Sequence, residues 1–245
     1  MLIILSFIMT LCHFYNALEK FMPRVNEEYF EKKRKEIIAA AYRVCVRKPI
    51  TSVVMNDIIA ETGFSHGVIY KYYKDLDEVL RDLVISINSQ NKIDEKLDKI
   101  LAKADKKKWE NVIREIGEML ADYLIEVGRD VLKISLYSDM LAMSEPERVS
   151  KIAGELGSEN QSPLLYFVKA MAVYLKKVIK EEGLKPVKSV EEIIQFIIVN
   201  YHGIQTGYVL SFCMDAEQIK GKYNPKEMFS IMSESVILIM KNKNG

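Results

Sequence analysis

Cysteine, histidine, proline and glycine are all scarce in this chain of 245 residues, and each shortage removes a class of explanation. The three cysteines, Cys12, Cys45 and Cys213, are odd in number and far apart, so no disulfide framework organises the fold. The three histidines, His13, His66 and His202, have no metal-ligand spacing with one another or with any cysteine. No metal and no other cofactor is expected. Six prolines and eleven glycines are too few for a turn-rich all-β protein, and no repeat of solenoid period is visible. Charge of one sign is lacking too. The 35 Lys and Arg against 34 Asp and Glu leave +1, with no polybasic tail and no acidic block. What remains is 49% hydrophobic and 28% charged, an ordinary globular composition in a chain long enough to bury a core unaided.

Leu2 to Leu18 (LIILSFIMTLCHFYNAL) is almost wholly apolar, and the character changes at Glu19. A membrane span needs about 20 apolar residues, and this run carries His13 and Asn16 near its end. It has neither the basic start nor the small-x-small cleavage site of a secretory signal. Residues 1–22 are therefore set apart as an apolar extension, read as a start assigned too early, with Met22-Pro23-Arg24 opening the folded chain. A membrane tether is the lesser alternative. No membrane partner is expected, and the location is cytoplasmic.

From Glu27 onward apolar residues recur at spacings of three and four. Ile37, Ile38, Ala41, Val44 and Cys45 mark a helix over about 28–47, stopped by Pro49. Short helices follow over 54–62 and 67–73, with Gly63 between them, and another runs from Asp75 towards Ile87. Further helices are predicted around 109–127 and 130–143. Residues 144–162 read as loop or short helix. Ser162-Pro163 opens a long helix ending at Glu182-Gly183. Ser189 with Glu192 and Asn224 with Glu227 have capping-box spacing and open helices over 190–214 and 225–241. No alternating strand is convincing, so the class is all-α.

One stretch carries a function. Two short helices around a glycine turn, Asp57-Ile-Ile-Ala-Glu-Thr-Gly63-Phe-Ser65-His-Gly67-Val-Ile-Tyr70-Lys-Tyr72-Tyr73, have the sequence form of a helix-turn-helix. Gly63 permits the turn, and Ser65 can cap the second helix and offer its hydroxyl to a phosphate. Gly67 lets the backbone approach DNA, and Val68 suits a thymine methyl. His66 and Lys71 can donate to base edges or phosphates. Tyr70, Tyr72 and Lys74 can fix register on the backbone without reading sequence. Residues 32–74 hold nine Lys and Arg against three acids, a local +6 hidden by the near-neutral whole. Gly63-Phe-Ser65-His-Gly67 also matches the G-x-S-x-G elbow of hydrolases. That chemistry needs a preceding strand, which is absent here, and nothing pairs a nucleophile with a base. No enzyme is expected.

On E-I-I-A-A-A-Y-R-V and M-N-D-I-I-A-E-T-G-F-S-H-G-V-I-Y-K-Y-Y-K-D-L-D-E-V-L, residues 28–80 resemble the DNA-binding domain of the TetR family of bacterial transcriptional regulators. The resemblance implies a helix-turn-helix domain over 23–75 that binds double-stranded operator DNA as an inverted repeat. Its implied contacts are Lys33, Asn56, Ser65, His66, Gly67, Val68, Tyr70, Lys71, Tyr72 and Lys74. Residues 76–245 would form a helical domain for effector binding and dimerisation. Three positions depart from the family pattern. Val54 stands where Thr is frequent, Leu76 where Lys is common, and Pro49 where Gly is usual.

For the effector pocket the polarizable and amphipathic residues Tyr137, Met140, Met143, Tyr166, Met171, Tyr174 and His202 are nominated, although Met and aromatics also fill helical cores routinely. The resemblance also implies that the last two helices pair across a homodimer face, for which Ile197, Tyr201, Ile204, Tyr208, Ile231, Met232, Ser235 and Leu238 are nominated. The resemblance implies a repressor released from its operator by a small, largely apolar effector. The alternative is a helical effector-binding or protein-interaction module without specific operator binding.

Overall fold

The computed structural model describes residues 27–90, 92–155, 163–213 and 223–241. The apolar extension, the cap at Ser162 and the end of the predicted 190–214 helix at residue 214 lie outside them. Among the described residues every regular element is a helix, as expected. In chain order these are α1 (Glu27–Arg47), α2 (Met55–Thr62), α3 (His66–Ile69), α4 (Leu76–Gln90), α5 (Ile93–Leu101), α6 (Trp109–Val127), α7 (Arg129–Ser144), α8 (Pro146–Gly154), α9 (Pro163–Glu181), α10 (Val190–Cys213) and α11 (Pro225–Met240). None is long and apolar enough to cross a membrane.

Two hydrophobic cores result. The first collects Ile37, Ala40, Ala41, Val44 and Cys45 of α1, a stripe at three- and four-residue spacing, with Ile58 and Ile59 of α2 and Ile69 of α3. It continues into α4 through Val79, Leu80 and Leu83, and it takes in Ile134 and Leu141 of α7. Cys45 is fully buried there, and burial pushes its thiol up to about 11, so it stays a neutral packing group. The second core surrounds α6. It joins Val112, Ile116, Leu120 and Leu124 to Phe167 and Met171 of α9, Ile193 and Ile197 of α10, and Phe229 and Val236 of α11. Trp109 is part of it.

The backbones of α6 and α11 approach closely at Gly117. A Cβ there would lie 2.0 Å from Ser233 Oγ and 3.2 Å from the Phe229 carbonyl oxygen. The Ser233 hydroxyl is buried in this contact with no hydrogen-bond partner.

Two elements go beyond the sequence reading. Helix α5 turns Ile93, Leu97 and Ile100 inward from a strongly charged run. Helix α8 occupies part of the stretch read as loop or short helix, with Pro146 at its first position and Ile152 buried. At the start of α10 the capping box forms as predicted. Ser189 Oγ accepts the Glu192 N–H at 3.1 Å, and Glu192 accepts the Ser189 N–H at 2.9 Å. At α11 the cap differs, because Asn224 Oδ1 accepts from the Lys226 N–H at 3.1 Å, one residue short of Glu227.

Candidate nucleic-acid interface

Helix α2 ends on Gly63, whose φ of 70° and ψ of 9° lie in the left-handed region; its N–H bonds the Ile59 carbonyl at 3.1 Å. A side chain here would strain the backbone, which is why the turn needs glycine. At the other end of α2, Val54 has no side-chain acceptor to offer the first turn, although its carbonyl takes the Asp57 N–H at 3.0 Å. The cap is supplied in reverse, since the Asp57 carboxylate accepts the Val54 N–H at 2.8 Å and Lys48 Nζ at 2.7 Å. Those donors, Lys48 foremost, hold the Asp57 carboxyl below the usual carboxylate range. The Val54 departure therefore leaves the helix start intact.

Ser65 occupies the cap position of α3, but its side chain makes no cap hydrogen bond. Its carbonyl accepts the Val68 and Ile69 N–H groups instead, at 3.0 and 3.2 Å, so the exposed hydroxyl remains available to a ligand. His66, Gly67, Tyr70 and Lys71 are exposed, and Val68 is half-buried. A Cβ on Gly67 would meet nothing within 4 Å, so nothing inside the protein demands glycine there. Asn56 and Lys74 are exposed as well.

Two predicted contacts are engaged within the protein. The Tyr72 ring packs on Phe30 of α1, with centroids 4.5 Å apart. Lys33 Nζ sits over the Phe64 ring at 4.3 Å and pairs with Glu36 at 2.7 Å. Both fasten α1 to the turn and the segment after α3. Tyr73 lies beneath them, buried, and its hydroxyl donates to Asp82 at 3.1 Å, an acceptor shared with Arg34. Burial and the Asp82 charge push this phenol up.

The local positive excess is mostly paired. Arg43 and Arg47 share Glu61, Lys48 holds Asp57, Lys33 holds Glu36 and Arg34 holds Asp82. Of the nine cations in residues 32–74, only Lys32, Lys35, Lys71 and Lys74 have no carboxylate partner among the described residues. Lys71 and Lys74 follow directly on α3, beside Ser65, His66 and Gly67.

Comparison with known proteins agrees with this geometry. Residues 37–83, from the inward face of α1 to Leu83 of α4, match the profile of the bacterial regulatory proteins of the tetR family. These residues form a TetR-type DNA-binding domain. It is 29% identical over 188 residues, 74% of its length, to the uncharacterized HTH-type transcriptional regulator YfiR of Bacillus subtilis (strain 168), covering 82% of that protein. In fold it is similar to the fatty acid degradation regulator FadR from Bacillus halodurans, with a TM-score of 0.58 and 18% identity over 84% of this chain and 94% of that one. It is also similar to a bacterial regulatory protein of the tetR family from Rhodococcus RHA1, with a TM-score of 0.55 and 14% identity over 86% of this chain and 98% of that one. TetR-family proteins are transcriptional regulators, a class without enzymatic activity.

Behind this domain a second feature lies between α4, α6, α7, α9 and α10: a cavity of about 370 Å³. Of the seven residues nominated for a pocket, His202 alone lines it. The helical phase sends the others elsewhere. Met140 and Met143 point outward from α7, Tyr137 packs on the first core, and Met171 and Tyr174 lie in the second. The Tyr166 hydroxyl donates to Asp98. The cavity wall comes instead from apolar residues such as Ile87, Val131, Phe167 and Ile198, with Ser135, Asp139, Tyr201 and Gln205 as polar members. Burial raises the Asp139 carboxyl and the positive charge available to His202 opposes that rise. Gln205, a polar residue within an apolar stripe and three positions from His202, was the legible signal. A second, larger space of about 1020 Å³ is an open cleft between α1 and the helical body, lined by Arg34, Lys35, Asp82 and Glu126 among others.

The nominated dimer residues also divide. Ile197, Ile204 and Met232 are buried within the protomer's own core, and Tyr201 lines the cavity. They are corrected from interface to interior. Tyr208 is half-buried against Phe212, with rings 4.9 Å apart, and Ser235 donates to the Ile231 carbonyl at 2.8 Å. Ile231 and Leu238 do stand exposed. On α10 the open large apolar positions are Val199, Leu210 and Phe212, with Gly203 between the first two, whereas Gly207 is packed on Tyr223.

Proposed function

We propose that the chain is a homodimeric repressor that leaves its operator when a small, largely apolar molecule fills the 370 Å³ cavity. The observation that carries this reading is a shared wall. Val84, Ile87 and Asn88 of α4 line the cavity, while Val79, Leu80 and Leu83 of the same helix belong to the DNA-binding core. Ile134 of α7 belongs to both. Helix α4 is further tied to α8, which follows α7 directly, through Asp77–Arg148 at 2.7 Å and Arg81–Glu155 at 2.9 Å. A ligand that spreads the cavity wall must move α4 and α7 against each other, and with them the recognition helix.

Ser65, His66, Gly67 and Val68 would face the major groove, with Asn56, Tyr70, Lys71 and Lys74 on the phosphate backbone. Tyr72 and Lys33 act first by fastening α1 to this unit, and their polar tips complete the phosphate contacts. Dimerisation through Val199, Gly203 and Leu210 of α10 with Ile231 and Leu238 of α11 would set two α3 helices about one helical turn of DNA apart, ~34–36 Å, or another spacing the dimer imposes.

The test is selection from random duplexes with the full chain at near-physiological salt. An enriched inverted repeat supports the reading. Salt-sensitive binding without enrichment refutes it and favours a helical module that has no specific operator.

A further inference from the structure

The polar lining of the cavity restricts its ligand. Among the described residues the wall contains no lysine or arginine. Its one carboxylate, Asp139, is exposed to solvent and faces His202, whose positive charge favours the ionised form. Deep in the wall stands Gln205, 2% exposed, with its Nε2 lacking any hydrogen-bond partner. A buried amide donor left unpaired is costly, and a ligand acceptor that reaches it recovers that cost. An anion at that depth would lose its hydration without meeting a lysine or arginine. An uncharged oxygen acceptor suffers far less.

The volume sets the size. At about 370 Å³ the cavity is near the small end of ligand sites, which run roughly 300–1,000 Å³. It would hold roughly a dozen waters at the ~30 Å³ each takes in the liquid. Its ligand is therefore on the order of a dozen non-hydrogen atoms, or somewhat more for bonded atoms that pack closer. The remaining wall, including Ile87, Val131, Phe167 and Ile198, is hydrocarbon.

Resting on the reading of this cavity as the effector site, we infer that the effector is an uncharged, mainly hydrocarbon molecule carrying a carbonyl or hydroxyl oxygen that accepts a hydrogen bond from Gln205. A free fatty carboxylate would bring a charge that no lysine or arginine in the wall neutralises, and it would compete with Asp139 for His202.

The test uses three ten-carbon probes, decan-2-one, decanoate and decylammonium, titrated calorimetrically into the full chain and into Gln205→Leu. The ketone is expected to bind the natural sequence at least about tenfold more tightly than either ion. Gln205→Leu should retain or raise its Tm, because no internal hydrogen bond is lost, and should weaken ketone binding about tenfold or more. Tighter binding of decanoate or decylammonium overturns the inference. So does unchanged ketone affinity in the variant, and so does failure of all three probes to bind. Duplex binding measured on the same preparation separates the two readings. Ketone binding without operator selection sinks the repressor, whereas operator selection without ketone binding sinks only the ligand class.

Discussion

Replacing Lys71 by alanine is the most direct probe of the DNA face, because the structure sets the expected magnitude. Five of the nine cations in residues 32–74 are held by carboxylates, whereas Lys71 is exposed, has no such partner and adjoins the recognition helix. A phosphate contact made by a free ammonium releases condensed counterions, and each contact contributes about 0.9 to the slope of log K against log salt. Lys71→Ala should lower that slope by about 0.9 for each docked protomer. Between 50 and 200 mM salt, a fourfold range, this difference is worth about 3- to 4-fold in affinity per protomer, or about 12-fold for a dimer. The mutant defect should thus be large at low salt and shrink as salt rises. Fluorescence anisotropy with a labelled duplex of arbitrary sequence is sufficient, since the term is independent of sequence. Lys103→Ala, on the far domain and also exposed, is the control for net charge. A slope unchanged by Lys71→Ala, or equally changed by Lys103→Ala, would refute the assignment of this face.

Gly67→Ala should fold at least as stably as the natural chain, since a Cβ there meets nothing within 4 Å and alanine is favoured in a helix by about 1 kcal/mol. Its duplex binding should nevertheless weaken, and full-strength binding would show that the backbone does not approach DNA there. Gly117→Ala should lower stability in urea despite the same helix preference. Its Cβ would stand 2.0 Å from Ser233 Oγ and 3.2 Å from the Phe229 carbonyl, and overpacking of this kind costs about 1–3 kcal/mol. Ser233→Ala alone should be neutral or stabilising, because it removes a buried hydroxyl without a partner, and combined with Gly117→Ala it should recover part of the loss. A double variant no better than Gly117→Ala would place the strain on the Phe229 backbone instead. Asp57 is held below its ordinary pKa by Lys48 and the Val54 N–H, so its contribution to stability is fully present above the unfolded value of about 4 and is lost as pH falls from there through the lower folded value. The Tm gap between the natural chain and Asp57→Asn should therefore be widest near neutrality and close in acid. A gap independent of pH would contradict the cap.

The first four helices were readable because their apolar residues recur cleanly and because Pro49 and Gly63 punctuate them. Helix α5 was harder, since Ile93, Leu97, Ile100 and Leu101 are set in a run of lysines and aspartates. The spacing was present but sparse. The dimer face failed for a different reason. Helix α10 is apolar nearly all round, so one stripe, with Ile197 and Ile204, enters the protomer while another, with Val199 and Leu210, stays open. Sequence alone cannot say which side meets a partner when both are greasy. The pocket nominations rested on residue type, whereas membership depends on helical phase. Met140 and Asp139 are neighbours in sequence, yet only Asp139 borders the cavity.

Helix α7 gives Ile134 and Leu141 to the core of the DNA-binding head while its other side builds the body. The head is therefore not a detachable module. A fragment cut after residue 75 would strip that core of Val79, Leu80 and Leu83 as well as both α7 side chains. Grafting the head of one relative onto the body of another would set mismatched surfaces against each other at α7. Such a chimera would have to inherit α4 and the inward positions of α7 together with the recognition helix. Residues far along the chain from the helix-turn-helix are in this sense part of the apparatus that presents it.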